Sequence, residues 1–242
     1  MTASMLGFYS LASQFGGVAD VVSNSVQSAF QPWLFSKLNE TSNNNQNYDE
    51  IRNLTSQLLW LYGLIYLVIG AFAEEAINIM TNIEYHSAWT YVPLLIMSVA
   101  IKSPLHFYQN FMYYHKEMSK YIFLCTMAGC FLSMLLVWFM IPIFGVYGAI
   151  LADIIALILR LFITKSMLKH KNTIYSFNKI IAITIIPIIW LGITVLPSYV
   201  NLFTTWYYSI GYKVILCIGY IIMVIILNKG ISKVLIDKLL HR

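Results

Sequence analysis

Charge is scarce in this sequence of 242 residues, and that scarcity bounds what kind of protein it is. Asp, Glu, Lys and Arg make up 10% of the chain, where a soluble domain uses about a quarter to cover its core. Hydrophobic residues reach 59% and the mean hydropathy is +0.71, which excludes an ordinary water-soluble globule. Cysteine is also rare. Cys125, Cys130 and Cys217 all lie inside apolar runs, and an odd number with no ligand-like spacing reads as small hydrophobes, neither a disulfide framework nor a zinc site. There is no Cys-x-x-Cys or His-x-x-x-His pair, and His86 and His106 are separated by an apolar stretch. No glycine-rich loop follows a strand pattern, so no nucleotide cofactor, metal centre or catalytic set is expected. A net charge of +5 is too small to argue for nucleic acid. Met1-Thr-Ala-Ser lacks the positive start of a signal peptide, so the chain is expected to insert through its own helices.

What the chain has instead is long apolar runs. A helix needs about 20 mostly apolar residues to cross the hydrocarbon at 1.5 Å per residue. Segments of that kind lie at roughly 6–36, 54–73, 90–113, 119–141, 145–167, 179–198 and 207–228. The first is diluted by Ser, Gln and Asn but has no Pro before Pro32. No strand-like alternation punctuated by turns appears, which favours a helical bundle over a barrel. The expected fold is therefore all-α, a polytopic membrane bundle of about seven transmembrane helices. Residues 1–178 are read as a five-helix core lobe, and 179–242 as a peripheral hairpin with a tail.

The loops predict an orientation. Lys37, Arg52, Lys116, Lys120, Lys165, Lys169, Lys171 and Lys179 fall in alternate connections, and Lys229, Lys233, Lys238 and Arg242 in the C-terminal tail. The opposite connections, 74–89, 142–144 and 199–206, hold no Lys or Arg, and the first carries Glu74, Glu75 and Glu84. The positive-inside rule puts the basic side in the cytoplasm, with Trp89, Tyr91 and Trp206 suited to the opposite interface. The expected location is the cell membrane, multi-pass, with a cytoplasmic C-terminus. Seven spans then start Met1 outside, as though a preceding helix were missing.

Charges inside the spans are the functional clues, because each costs roughly 2.5–3.5 kcal/mol at a span centre unless it is paired or wet. Asp20, Lys102, Asp153 and Arg160 are the central ones. At 100° per residue, Ser98, Lys102, His106, Gln109 and Tyr113 share an arc of about 80° on one helix, which Pro93 and Pro104 are expected to interrupt and bend. Such a stripe suits the wall of an aqueous cavity; its bland alternative is a structural pairing of Lys102 with Asp20 or Asp153. In the first span Ser10, Gln14, Gly17, Asn24, Ser28 and Gln31 cluster on one face, with Ser13, Asp20 and Gln27 on its edge, and that face is expected to look inward. Asp153 and Arg160 lie two turns apart on one face, too far to pair directly; Arg160 snorkels or binds a ligand. Gly145, Gly148 and Ala152 are read as close-packing positions. Lys213, near the outer end of the last span, is expected to snorkel, and Asn43–Asn47 to form a solvated loop.

Several segments, in order, resemble one family. Leu6-Gly-Phe-Tyr-Ser-Leu-Ala12, followed by a polar helix ending in Ala29-Phe-Gln-Pro32, resembles the start of the second half of polysaccharide flippases, in the superfamily shared with multidrug-and-toxin extrusion transporters. Tyr85-His-Ser-Ala-Trp-Thr-Tyr-Val-Pro-Leu-Leu95 resembles that family's Y..A..Y.P.L segment, and Ile141-Pro-Ile-Phe-Gly-Val-Tyr-Gly-Ala149 its P.fG..Ga turn. The resemblance covers roughly residues 5–168. It implies two helical bundles around a cavity that opens alternately to either side, commonly with fourteen helices, of which this chain matches the last seven. It implies a partner, the missing N-terminal lobe, and a cargo, a polyprenyl-pyrophosphate-linked oligosaccharide flipped for surface polysaccharide synthesis. Lys102 and Arg160 would then neutralise pyrophosphate, and Gln14, Asn24 and Gln109 would bond sugar hydroxyls. The cavity set also takes in His106, Asp153 and Asp20. The alternatives are a multidrug antiporter, with Asp20 or Asp153 as its coupling carboxylate, and a membrane-embedded polymerase or acyltransferase, whose large catalytic outer loop has no counterpart here.

Overall fold

The computed structural model describes residues 3–40, 44–168, 174–200, 202 and 206–228. These residues are helical almost throughout and contain no strand. The helices are α1 (Ala3–Asn39), α2 (Asn44–Ala71), α3 (Ala73–Met80), α4 (Val92–Tyr114), α5 (Ser119–Phe144), α6 (Val146–Leu168), α7 (Phe177–Tyr199) and α8 (Trp206–Leu227). Two 3₁₀ segments, Ile83–Tyr91 and Lys116–Met118, lead into α4 and α5. Six of the helical stretches are long and apolar enough to cross a membrane: those built on α2, α4, α5, α6, α7 and α8. The chain is thus a multi-pass membrane protein by its helices. The seventh expected span, α1, has the length at 37 residues, but its Ser, Gln and Asn content keeps it out of that group.

The sequence explains where the helices begin and stop. Pro93 stands in the first turn of α4, where its missing N–H breaks no bond; it opens that helix rather than interrupting it. Pro104 lies inside α4, which runs on to Tyr114. A single residue, Gly145, separates α5 from α6 at φ 60°, ψ −132°, a conformation only glycine adopts readily. The connection expected over 74–89 holds α3 and the longer 3₁₀ segment.

α4 is the hub, with α1, α2, α6 and α7 packed around it. α5 lies against α6 and touches α4 only slightly, while α8 packs on α2 and α7. Lipid tails are as apolar as Leu, so packing and interhelical hydrogen bonds, more than water exclusion, hold such helices together. Small residues let α1 approach α4: Ala12, Gly16, Ala19 and Ser23 form its buried stripe, and Gly16 faces the Leu95 side chain. Gly148 sits against the backbone carbonyl of Met140, leaving no room for a Cβ and locking the α5–α6 hairpin.

The two ends of the bundle differ in chemistry. At one end Tyr114 donates to the Leu38 carbonyl (3.1 Å), Arg52 to the Ile174 carbonyl (2.5 Å), and Lys165 lies 3.5 Å over the Phe177 ring. Lys37 bridges Glu40 and Glu50, each at 3.1 Å. The other end is aromatic: Trp89 packs on Tyr199 and Tyr91 on Tyr147, both with ring centres 4.8 Å apart. Lys169, Lys171, Lys229, Lys233, Lys238 and Arg242 lie outside the described residues, as does Asn43.

Candidate functional site

Polar side chains form a ladder along the seam between α1 and α4. On the first rung Lys102 donates to Asp20 at 2.6 Å, with each side chain about a third exposed (32% and 31%). Next, the Tyr66 hydroxyl from α2 bridges Ser23 and Ser103, each at 2.5 Å, with all three buried. Toward the basic end Asn110 donates to Gln27 at 2.9 Å. In hydrocarbon each rung satisfies groups that lipid cannot.

The ladder borders an open face built from α1, α4 and α6. His106 and Gln109 are half-buried on it, and Tyr113 is exposed. His106 lies within electrostatic range of Lys102, Asp20 and Arg160, and its Nε2 is buried without a hydrogen-bond partner. Asp153 is exposed on α6, and the Ser98 hydroxyl of α4 donates to the Leu95 carbonyl at 2.9 Å. Arg160 donates to Thr126 at 2.8 Å and lies against Gly129, where an added Cβ would come within 3.2 Å of it. Its Nε is buried without a partner. Asp153 and Arg160 line one cavity of about 350 Å³ between α5 and α6, together with Cys130 and Ser133.

The structure therefore brings Asp20 to Lys102, and Asp153 to the same cavity as Arg160. It sets His106 among them. Gln14 and Asn24 stand apart. The polar face of α1 does not turn into this bundle, contrary to expectation: Ser10, Gln14, Gly17, Asn24 and Ser28 are exposed. The small stripe of α1 takes the inward position because only small residues allow the close approach to α4. Arg160 bonds across to α5 rather than snorkelling toward the helix end.

No family model, curated protein or solved structure matches this chain. Its chemistry is accordingly read from its own geometry. Among the described residues no group of three or more His, Cys, Asp or Glu side chains is arranged to hold a metal ion.

A second charged cluster lies near the aromatic end, where sequence reasoning expected a snorkelling lysine. Lys213 is 1% exposed and bonds Glu75 at 2.6 Å and Glu74 at 3.0 Å. Ser209 adds a long bond to Glu75 at 3.4 Å. Two carboxylates presented by α3 hold the ammonium in place, so it stays inside the bundle. This cluster, and the bridging trio Ser23–Tyr66–Ser103, were missed from sequence. A signal for the seam existed: Asp20 and Gln27 are spaced by seven residues, as are Ser103 and Asn110, and two helices packed side by side meet at such intervals.

Proposed function

We propose that this chain is one lobe of a membrane transporter that moves a polyprenyl-pyrophosphate-linked oligosaccharide between the leaflets of the cytoplasmic membrane. The observation that carries this reading is the open polar face of α1, α4 and α6. A membrane helix does not spend exposed Gln, Asn and Ser on lipid, so that face borders water or a second polar surface. An aqueous pathway closed on its far side by another helical lobe meets both needs. α1 crosses the membrane on this reading, and the basic end faces the cytoplasm by the positive-inside rule.

Division of labour follows from the pairings. Lys102 is neutralised by Asp20, so the phosphate charge falls mainly to Arg160, whose bonded partner is a hydroxyl and whose Nε has none. Gln14, Asn24 and Gln109 offer amides to sugar hydroxyls, and Asp153 an acceptor. Alternating access is rocking of this lobe against its partner. Of the two candidates for the coupling carboxylate of an ion-coupled drug antiporter, Asp20 is held by Lys102, which leaves Asp153.

The test is deletion of the gene in its native host, with lipid-linked oligosaccharide and surface polysaccharide measured together. Loss of surface polysaccharide and build-up of the lipid-linked precursor are expected, restored by the wild-type chain and not by Arg160→Ala at equal protein level. Unchanged polysaccharide and precursor in the deletion strain would sink the proposal.

A further inference from the structure

A cavity larger than the one beside Arg160 belongs to neither charged cluster. It is a groove of about 580 Å³ between α1, α2 and α3, within the range of roughly 300–1,000 Å³ typical of ligand sites. Its lining includes Leu11, Phe15 and Val18 from α1, Val68 from α2 and Ile77 from α3, and only Gln14 and Thr81 in it are polar. The groove is open to the surroundings through Val18, Val68 and Met80, and its lining offers water few of the polar partners that hold it in place, so it suits hydrocarbon better than water.

Two positions bear on how an amphiphile would sit there. The groove lies toward the aromatic end of the bundle, away from the end that carries Lys37, Arg52 and Lys165, which is the depth of the outer leaflet in the orientation proposed above. Gln14 belongs both to the groove and to the exposed polar strip of α1 with Ser10 and Gly17. An amphiphile seated here meets apolar side chains along its chain and amides at its head, in one continuous surface.

We infer that this groove is the seat of the polyprenyl chain of the lipid-linked cargo, holding it at outer-leaflet depth while the head group lies along α1. The inference rests on the proposed transport of a polyprenyl-linked saccharide. It assigns α3 a task, since Ala76 and Ile77 form the wall that separates the chain from the Lys213 cluster behind.

The test is retention of undecaprenyl phosphate by the full chain in nanodiscs of phosphatidylethanolamine and phosphatidylglycerol, read by native mass spectrometry. Ala76→Trp fills the groove from α3 and Val68→Trp from α2, where the side chain is 42% exposed and its enlargement spares the core. Each is expected to lower retention at least about tenfold with phospholipid retention unchanged, because displacing about two methylenes already amounts to that factor. A wild-type chain that keeps only phospholipid overturns the inference, as does wild-type retention by Val68→Trp. Flipping in vesicles is scored separately. Retention without flipping removes the transport reading and leaves the groove; flipping with undiminished retention in the variants removes the groove alone.

Discussion

Lys102 on α4 and Asp20 on α1 form an ion pair 2.6 Å long across 82 residues of sequence. It joins the hub helix to the one helix too polar to rank with the apolar spans. The pair is partly open, so its worth is well below that of a sealed one. A double-mutant cycle on Lys102→Met and Asp20→Asn is expected to give a coupling of at least about 0.6 kcal/mol, the mean for interhelical bonds in membranes. Denaturation in mixed micelles measures it, and additive single-mutant losses would show the pair to be idle.

Lys213 is the more costly residue to disturb. Removing it strands Glu75, which is 6% exposed and already carries one unpartnered oxygen. Breaking a buried pair this way costs about 3–5 kcal/mol. Lys213→Met should therefore lower the yield of folded protein sharply, and adding Glu75→Gln should recover part of it. Equal melting temperatures for wild type and Lys213→Met would contradict the geometry.

Tyr66 ties three helices through one hydroxyl. Tyr66→Phe removes the bonds to Ser23 and Ser103 while keeping the ring in its stack on Tyr62. The expected loss is about 1 kcal/mol, two interhelical bonds at their usual membrane value. Thermal unfolding in detergent reads it, and an unchanged midpoint would make the hydroxyl a passenger.

Two glycines are expected to resist substitution for different reasons. Gly145→Ala forces a side chain into a left-handed conformation, at about 1–3 kcal/mol. Gly63→Ala drives a Cβ to 2.9 Å from Pro187 on α7, an overpacking cost of about 1–3 kcal/mol. Gly17→Ala, with nothing within 4 Å of the added carbon, is the control and should leave stability unchanged or slightly raised.

Orientation is testable without any cargo. With cysteine-free protein in intact cells, Met5→Cys is expected to react with an impermeant maleimide from outside, and Lys120→Cys only after permeabilisation. Reaction of both from the same side would remove α1 as a span.

Helix positions were the readable part of this chain. The apolar runs at 119–141, 145–167 and 179–198 match α5, α6 and α7 within a few residues, because hydropathy acts locally. The central charges were readable too, since an ion in a span stands out against its neighbours. Their partners were less so. Asp20 and Asp153 were equal candidates for Lys102 until helix packing chose between them, and Glu75 lies 138 residues from Lys213. The packing side of α1 was hidden for a physical reason: its polar residues are the conspicuous feature, but the Ala12–Gly16–Ala19–Ser23 stripe decides which side can approach a neighbour. α3 escaped notice because eight residues carry too little periodicity to stand out from a loop.

Gly145 has a mechanical consequence. With one residue between them and Met140 pressed against Gly148, α5 and α6 have no independent play, and α5 meets the rest of the lobe almost solely through its mate. The hairpin is one stiff unit, seated on α4 through α6. Asp153 and Arg160 belong to that unit, while Asp20 and Lys102 join α1 to α4. The distance between the two sets of charges is therefore set by a single contact, the seating of α6 on α4.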